Sequence, residues 1–201
     1  MNKIFSKSIN VAKNYLIKTN DSAHDLDHTL AVVKTSLRIC NVIKYENQDL
    51  IEVAAWWHDV GRLFNPIHEK ISATMAKDNL LDFGLSTIDA NLIYGAIRFH
   101  KWNMKPKSLE GNIIRDADKL QFISLGRWKN CIATNEFNHI KPIIPLLTKL
   151  RMLLKLEVSK LIYDEKIVLF VEFIKGIETS NKELLKMINE IKLLNLSHLK
   201  K

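Results

Sequence analysis

Only ten of the 201 residues are glycine or proline, six and four respectively. Ordinary globular proteins carry roughly 12% of the two together, and this chain has about half that. A chain of many short strands needs turn residues at regular short intervals. Their scarcity predicts an all-α fold before any periodicity is read. The remaining composition sets the class. Apolar residues make up 47% and charged residues 26%, which excludes a disordered or fibrous chain. The length suits one domain, with room for a helical extension. No apolar run approaches the ~20 residues of a membrane span. Lys3, Lys7, Lys13 and Lys18 interrupt the first eighteen residues, so no signal-peptide stretch is expected there. Cys40 and Cys131 form no CxxC pair. That fits a reduced, cytoplasmic protein and offers no cysteine-based metal site.

The net charge is +8 and uneven. Residues 1–125 hold 16 Lys/Arg against 14 Asp/Glu, whereas residues 126–201 hold 14 against 8. A basic balance favours anionic ligands such as phosphates, nucleotides or nucleic acid. Lysines solvating surface helices give the same balance without any ligand.

Helical patterns follow one another with short breaks. Residues 3–19 form a first amphipathic stretch. Asp21 or Ser22 can cap the next, about 25–45, with Leu30, Val33, Leu37 and Cys40 on one face. A third, about 48–60, is apolar nearly all round, so it is expected to be buried, and Gly61 suits its stop. Pro66 can sit in the first turn of a helix reaching about 83 and ended by Gly84. Ser86 opens a helix to about 102. Residues 109–124 carry Ile113, Ile114, Ala117, Leu120 and Ile123 at helical spacing. The chain continues helical from Gly126 to about 136, Pro142 and Pro145 mark a new start, and two or three leucine-rich helices fill 145–198.

Ionisable residues stand where core is expected. His58 and Asp59 end the most hydrophobic helix, directly after Ala54-Ala55-Trp56-Trp57. An ionised carboxylate there costs several kcal/mol unless paired, hydrogen-bonded or metal-bound. Asp118 has Ile114 and Phe122 four residues to either side, so it lies on an apolar stripe. Asp116, about 200° around the helix beside Asn112 and Lys119, is expected to be solvated. His100 continues the face of Ile93, Ala96 and Ile97, and His28 lies between His24 and Val32. Two imidazoles and two carboxylates (His28, His58, Asp59 and Asp118) converging inside a helical bundle make a nitrogen–oxygen site for one divalent cation. Taken singly, each has a plainer reading. A buried His is ordinarily a hydrogen-bonded core residue. Asp118 can pair with Lys119, and an imidazolium at a helix C-terminus suits the dipole. His24 can cap or bond locally, while His139 and His198 are expected to be incidental and Trp56 and Trp57 to be core.

The ordered set resembles the HD-domain superfamily of metal-dependent phosphohydrolases: a first His in HDLDH (His28), a His-Asp doublet in AAWWHDVG (His58-Asp59), and a distant Asp in RDADKL (Asp118). The likeness is to small stand-alone bacterial members and covers about residues 22–130. It implies an all-α HD-type helical bundle spanning 1–201 as one domain. The metal core lies at about 22–130 and a C-terminal helical extension at about 140–201, outside the likeness. That extension would pack over the front half or dimerise.

Some members hold a second metal through extra histidines, for which His68 and His100 are the candidates; otherwise these two would contact phosphate or water. The HTxG and Gly-Tyr-Pro signatures of other branches are absent. The implied cofactor is one or two divalent ions among Mn, Co, Ni, Fe, Mg and Zn. The implied reaction is hydrolysis of a phosphoester or phosphoanhydride, of a nucleotide or nucleotide-like substrate, by metal-activated water. Asp59, His68 and His100 would be catalytic. Arg62, Lys119 and more weakly Arg127 would be phosphate contacts, although Lys119 reads better as a solvated surface charge. Two competitors remain: a non-catalytic helical module binding anions or nucleic acid through Lys149, Arg151, Lys155 and Lys160, and a di-iron oxygenase on the same scaffold. The partners implied are a small phosphorylated molecule, no membrane, and a possible second copy of the chain.

Overall fold

The computed structural model describes residues 3–19, 24–65, 67–194 and 196. Among them every regular element is helical. They fall into two compact units, Met1–Asp118 and Lys119–Lys201.

The first unit carries α1 (Lys3–Leu16), α2 (Leu26–Ile43), α3 (Gln48–Trp57), α4 (Glu69–Asp82), α5 (Thr87–Arg98) and nearly all of α6 (Leu109–Lys119). The apolar third helix is its centre, as its all-round hydrophobicity predicts. α3 packs against α1, α2, α4 and α5, and Leu50, Ile51 and Val53 to Trp57 are all buried. A buried polar tie runs from it: the indole of Trp57 donates to Ser8 Oγ at 2.9 Å, and that hydroxyl donates to Asn79 Oδ1 at 2.8 Å. α1, α3 and α4 are thereby pinned by a satisfied network.

Local signals set several ends. Asp25 caps α2, its carboxylate accepting from the His28 backbone N–H at 2.9 Å. Asp21 and Ser22 lie outside the described residues. Ser86 caps α5 by accepting from the Asp89 backbone N–H. Gly84 ends the α4 region at φ +88, where a side chain would be strained.

Other ends depart from the sequence reading. α5 stops at Arg98 rather than near 102, and α3 stops at Trp57 rather than 60. Gly61 is no helix stop. It sits in a 3-10 turn, Val60–Leu63, pressed against α4. A Cβ there would lie 2.7 Å from both the His68 carbonyl oxygen and the Ser72 nitrogen. The Gly61 N–H donates to Ser72 Oγ at 2.8 Å. Pro66 lies outside the described residues.

In the second unit, a 3-10 turn (Leu120–Ile123) leads to α7 (Leu125–Thr134). Two further 3-10 turns, Phe137–His139 and Lys141–Lys149, and α8 (Leu150–Leu153) carry the chain to α9 (Glu157–Lys175) and α10 (Lys182–Leu193). α9 packs on the 120–123 turn and on α10. Its buried stripe includes Ile162, Tyr163, Ile167 and Phe170, and Phe170 meets Trp128 edge-on at 5.1 Å. Pro142 falls in the first turn of the 141–149 segment, where a missing donor costs least, and Pro145 lies inside it. His139 ends the 137–139 turn, and His198 lies outside the described residues.

Candidate metal centre

Five helices of the first unit bring six side chains to one buried place. His28 stands in the first turn of α2, where the Asp25 cap fixes the entry of the chain. His58 and Asp59 follow the last residue of α3. Adjacent helical side chains diverge by about 100°; here the helix has ended, and the turn lets both face inward. His68 precedes α4, His100 follows α5, and Asp118 lies near the end of α6. All six are buried.

Asp59 is the hub. Its Oδ2 lies 3.4 Å from His58 Nε2 and 3.6 Å from His28 Nε2. Its Oδ1 lies 2.7 Å from His68 Nε2, 3.1 Å from Arg62 Nε and 3.8 Å from His100 Nε2. Asp118 Oδ1 closes the first group, 3.5 Å from His28 Nε2. Two trios therefore form, each with donor atoms within 4.8 Å of one another: His28, His58 and Asp118, and Asp59, His68 and His100. The two oxygens of Asp59 face different trios.

The tautomers follow from the backbone. His58 Nδ1 lies 2.7 Å from the Ala55 carbonyl, and His100 Nδ1 lies 2.6 Å from the Ile97 carbonyl. A carbonyl only accepts, so both Nδ1 atoms carry the proton and both Nε2 lone pairs are left for the site. Metal-binding histidines are oriented by such a bond from the second ring nitrogen.

Three atoms test whether a cation fits. Nε2 of His28, Nε2 of His58 and Oδ1 of Asp59 are fully buried, yet none makes a hydrogen bond of good geometry despite close neighbours. Buried polar atoms are nearly always satisfied. Lone pairs and carboxylate oxygens left over in one small volume fit a divalent ion that accepts nitrogen and oxygen donors.

The electrostatics agree with the geometry. Burial alone would raise the Asp59 carboxyl, but the charges of His58 and Arg62 and the close approach of His58 and His68 outweigh it and hold the group well below the carboxylate range. Burial would lower His58, but the neighbouring Asp59 charge turns the net shift upward. For His28 burial wins over the Asp118 and Asp59 charges, and its pKa falls to about 4. His28 is therefore neutral and ligand-ready at pH 7.

Of the remaining candidates, Arg62 keeps its Nε 3.1 Å from Asp59 Oδ1 while its side chain stays 27% exposed. His24 packs edge-on against His28 at 5.4 Å. Lys119, expected on the surface, is buried, its ammonium 5.1 Å over the Phe122 ring. Arg127 donates to the His139 carbonyl at 3.5 Å.

Asp116, expected to be solvated, is fully buried with its Oδ1 3.5 Å from Arg115 Nη1. The reason is that α6 is buried almost all round from Glu110 onward. A one-faced reading assigned its polar residues to a solvent side that does not exist. They are partnered instead: Glu110 accepts from Tyr45 at 2.5 Å, and Arg115 Nη2 donates to the Trp102 carbonyl at 3.1 Å. Glu69, also buried, pairs with Lys101 at 2.8 Å. Sequence reasoning missed Arg115, Glu69 and Ser72. Their only signal was a polar residue flanking a motif, which is too common to select them.

Residues 25–123 match the HD domain family. Among solved structures, the chain is similar to a predicted HD superfamily hydrolase from an uncultured Thermotogales bacterium. The TM-score is 0.68 and the identity 23%, over 85% of this chain and 88% of the other. It is similar to Bacillus subtilis YpgQ in complex with ADP, with TM-score 0.67 and 19% identity over 86% and 92%. A Lactobacillus plantarum protein matches with TM-score 0.65 and 22% identity over 87% and 95%. These likenesses establish a shared fold. No curated protein matches the chain.

Proposed function

This is an HD-domain protein, its domain covering residues 25–123, and from that premise we propose that it is a metal-dependent phosphohydrolase. The observation that carries the reading is the convergence of six buried histidine and aspartate side chains on Asp59, whose two oxygens face different trios. In this reading His28, His58, Asp59 and Asp118 hold one divalent cation. Asp59, His68 and His100 have the donors for a second, with Asp59 shared. The donor set holds no cysteine, which suits Mn, Co, Ni, Fe, Mg or Zn.

Cations held there supply Lewis acidity at a phosphoryl oxygen and bring the pKa of a water toward neutrality. The chain's own groups do the rest. Asp59, kept anionic by His58 and Arg62, can accept a proton from the attacking water as well as ligate. Without a second cation, His68 and His100 can instead donate from a protonated Nε2 to phosphate oxygens or to the leaving oxygen, and the Ile97 carbonyl keeps the His100 ring aimed inward. Arg62 can offer its terminal nitrogens to phosphate while its Nε stays on Asp59. Burial of the cluster excludes bulk water and strengthens each of these interactions.

The substrate in this reading is a phosphoester or phosphoanhydride of a nucleotide. The net charge of +8 favours an anion, and the similar Bacillus subtilis YpgQ holds ADP. The test is hydrolysis of an aryl phosphate and a nucleotide panel with and without Mn, Co or Mg. Asp59→Ala is expected to lose more than 100-fold in rate, beyond the 10–100-fold typical of residues behind the ligands, with helical content unchanged. Cation-independent turnover, or turnover that survives Asp59→Ala, overturns the reading. The two trios together also suit a pair of irons. Oxygen uptake by an iron-loaded sample would favour oxygenase chemistry instead.

A further inference from the structure

Nothing above accounts for the loop that follows His100. Residues 98–107 read RFHKWNMKPK, and no Asp or Glu occurs between Asp89 and Glu110. Four cations, Arg98, Lys101, Lys105 and Lys107, stand in ten positions. Lys101 is engaged by Glu69, and Arg98 Nη1 lies 3.5 Å from the Met104 sulfur. Lys105 and Lys107 are exposed.

Within this basic run sits an exposed indole. Of the chain's four tryptophans, Trp56, Trp57 and Trp128 are buried, while Trp102 is 44% exposed. A single exposed hydrophobic residue is ordinary. Two further observations set Trp102 apart. It lies two residues beyond His100, whose Nε2 faces Asp59. Two residues span at most about 7 Å, so the indole is within a nucleotide's length of the metal centre. Its backbone is also fixed: the Trp102 carbonyl accepts from Arg115, a guanidinium only 2% exposed, on the helix that carries Asp118 three residues later. Burying a guanidinium is costly unless its bonds are made. Here the bond ties the loop to the helix of a candidate ligand.

An exposed aromatic face on a fixed backbone, followed by the exposed cations Lys105 and Lys107 and next to a candidate phosphate site, has the two chemistries a nucleotide needs. Bases stack on aromatic side chains, and lysines hold phosphate oxygens. We propose that the 101–107 loop binds the nucleoside end of the substrate, a nucleoside di- or triphosphate, with Trp102 stacked on the base and Lys105 and Lys107 drawn to the polyphosphate. This inference rests on the nucleotide reading of the preceding subsection and names the residues that select for it.

The test uses the full chain with Mg and the α,β-methylene analogue of ADP, with inorganic pyrophosphate as the probe lacking a base. Trp102 is the tryptophan open to solvent, so its emission reports stacking directly. The analogue is expected to quench and blue-shift the emission, and pyrophosphate to leave it unchanged. By calorimetry, Trp102→Leu is expected to lower the ratio of analogue to pyrophosphate affinity about 5- to 100-fold. Lys105→Gln/Lys107→Gln is expected to weaken both probes and to flatten the salt dependence of binding. Analogue binding with no change in Trp102 emission, or an affinity ratio untouched by Trp102→Leu, overturns the inference. The two readings fail separately. If cation-dependent hydrolysis of an aryl phosphate stands while the analogue does not bind, the loop inference falls and the hydrolase reading survives. If the analogue stacks on Trp102 but no phosphate is hydrolysed with any cation, the reverse holds.

Discussion

A proton on His58 Nε2 competes with a cation for the same lone pair. Burial would lower the His58 pKa, but the Asp59 charge raises it above the ordinary value. Since Nδ1 donates to the Ala55 carbonyl, the exchangeable proton is the one on Nε2, at the candidate ligand atom. Cation binding therefore releases a proton, and affinity should rise with pH. Calorimetry in two buffers of different ionisation heat measures the release; His58→Gln should abolish this contribution.

His28 acts in the opposite sense. Its folded pKa is about 4, below the ordinary 6.5, chiefly through burial. The unfolded chain binds the proton first, so the His28 contribution to stability is present above pH 6.5 and is lost as pH falls toward 4. A shift of this size corresponds to about 3 kcal/mol. Urea unfolding of the cation-free protein should show stability falling across that window, with a shallower fall in His28→Gln.

At the scale of elements, the approach of the 60–63 turn to α4 sets the distance between the two halves of the centre. Asp59 leads into the turn and His68 leads into α4. Gly61 lets the two backbones touch, and Ser72 Oγ takes the Gly61 N–H across the contact. Gly61→Ala must push His68 or Ser72 backbone away and is expected to cost about 1–3 kcal/mol, the range for overpacking. Ser72→Ala leaves a buried N–H unpaired, at roughly the same cost. Chemical denaturation gives both numbers. Rescue of stability without rescue of cation affinity in a Ser72→Thr variant would separate the spacing of His68 and Asp59 from mere destabilisation.

For the molecule as a whole, the cost of burying six ionisable groups is concentrated in the first unit, and a bound cation offsets it. Because that cation binds only the folded arrangement, it should raise the melting temperature by mass action. At a hundred times the dissociation constant the stabilisation is about 2.7 kcal/mol. Thermal melts with Mn and then with chelator should show a reversible shift, and Asp59→Ala should show none. No described helix is long and apolar enough to cross a membrane.

The chain's shortage of turn residues and its 3.6-residue periodicity determined the all-α class and the element order, because these are properties of local backbone and side-chain pattern. The same pattern exposed His28, His58, Asp59 and Asp118 as ionisable residues on apolar faces, and the structure brings them together. Tertiary packing decided what no local pattern encodes. α6 is buried almost all round, so Asp116 and Arg115 are buried despite their polarity. Gly61 serves a close approach between segments rather than a helix end. The division of Asp59 between two trios depends on distances among five segments spread along the sequence. Periodicity tells a residue which way to face on its own helix; only packing tells it what it will face.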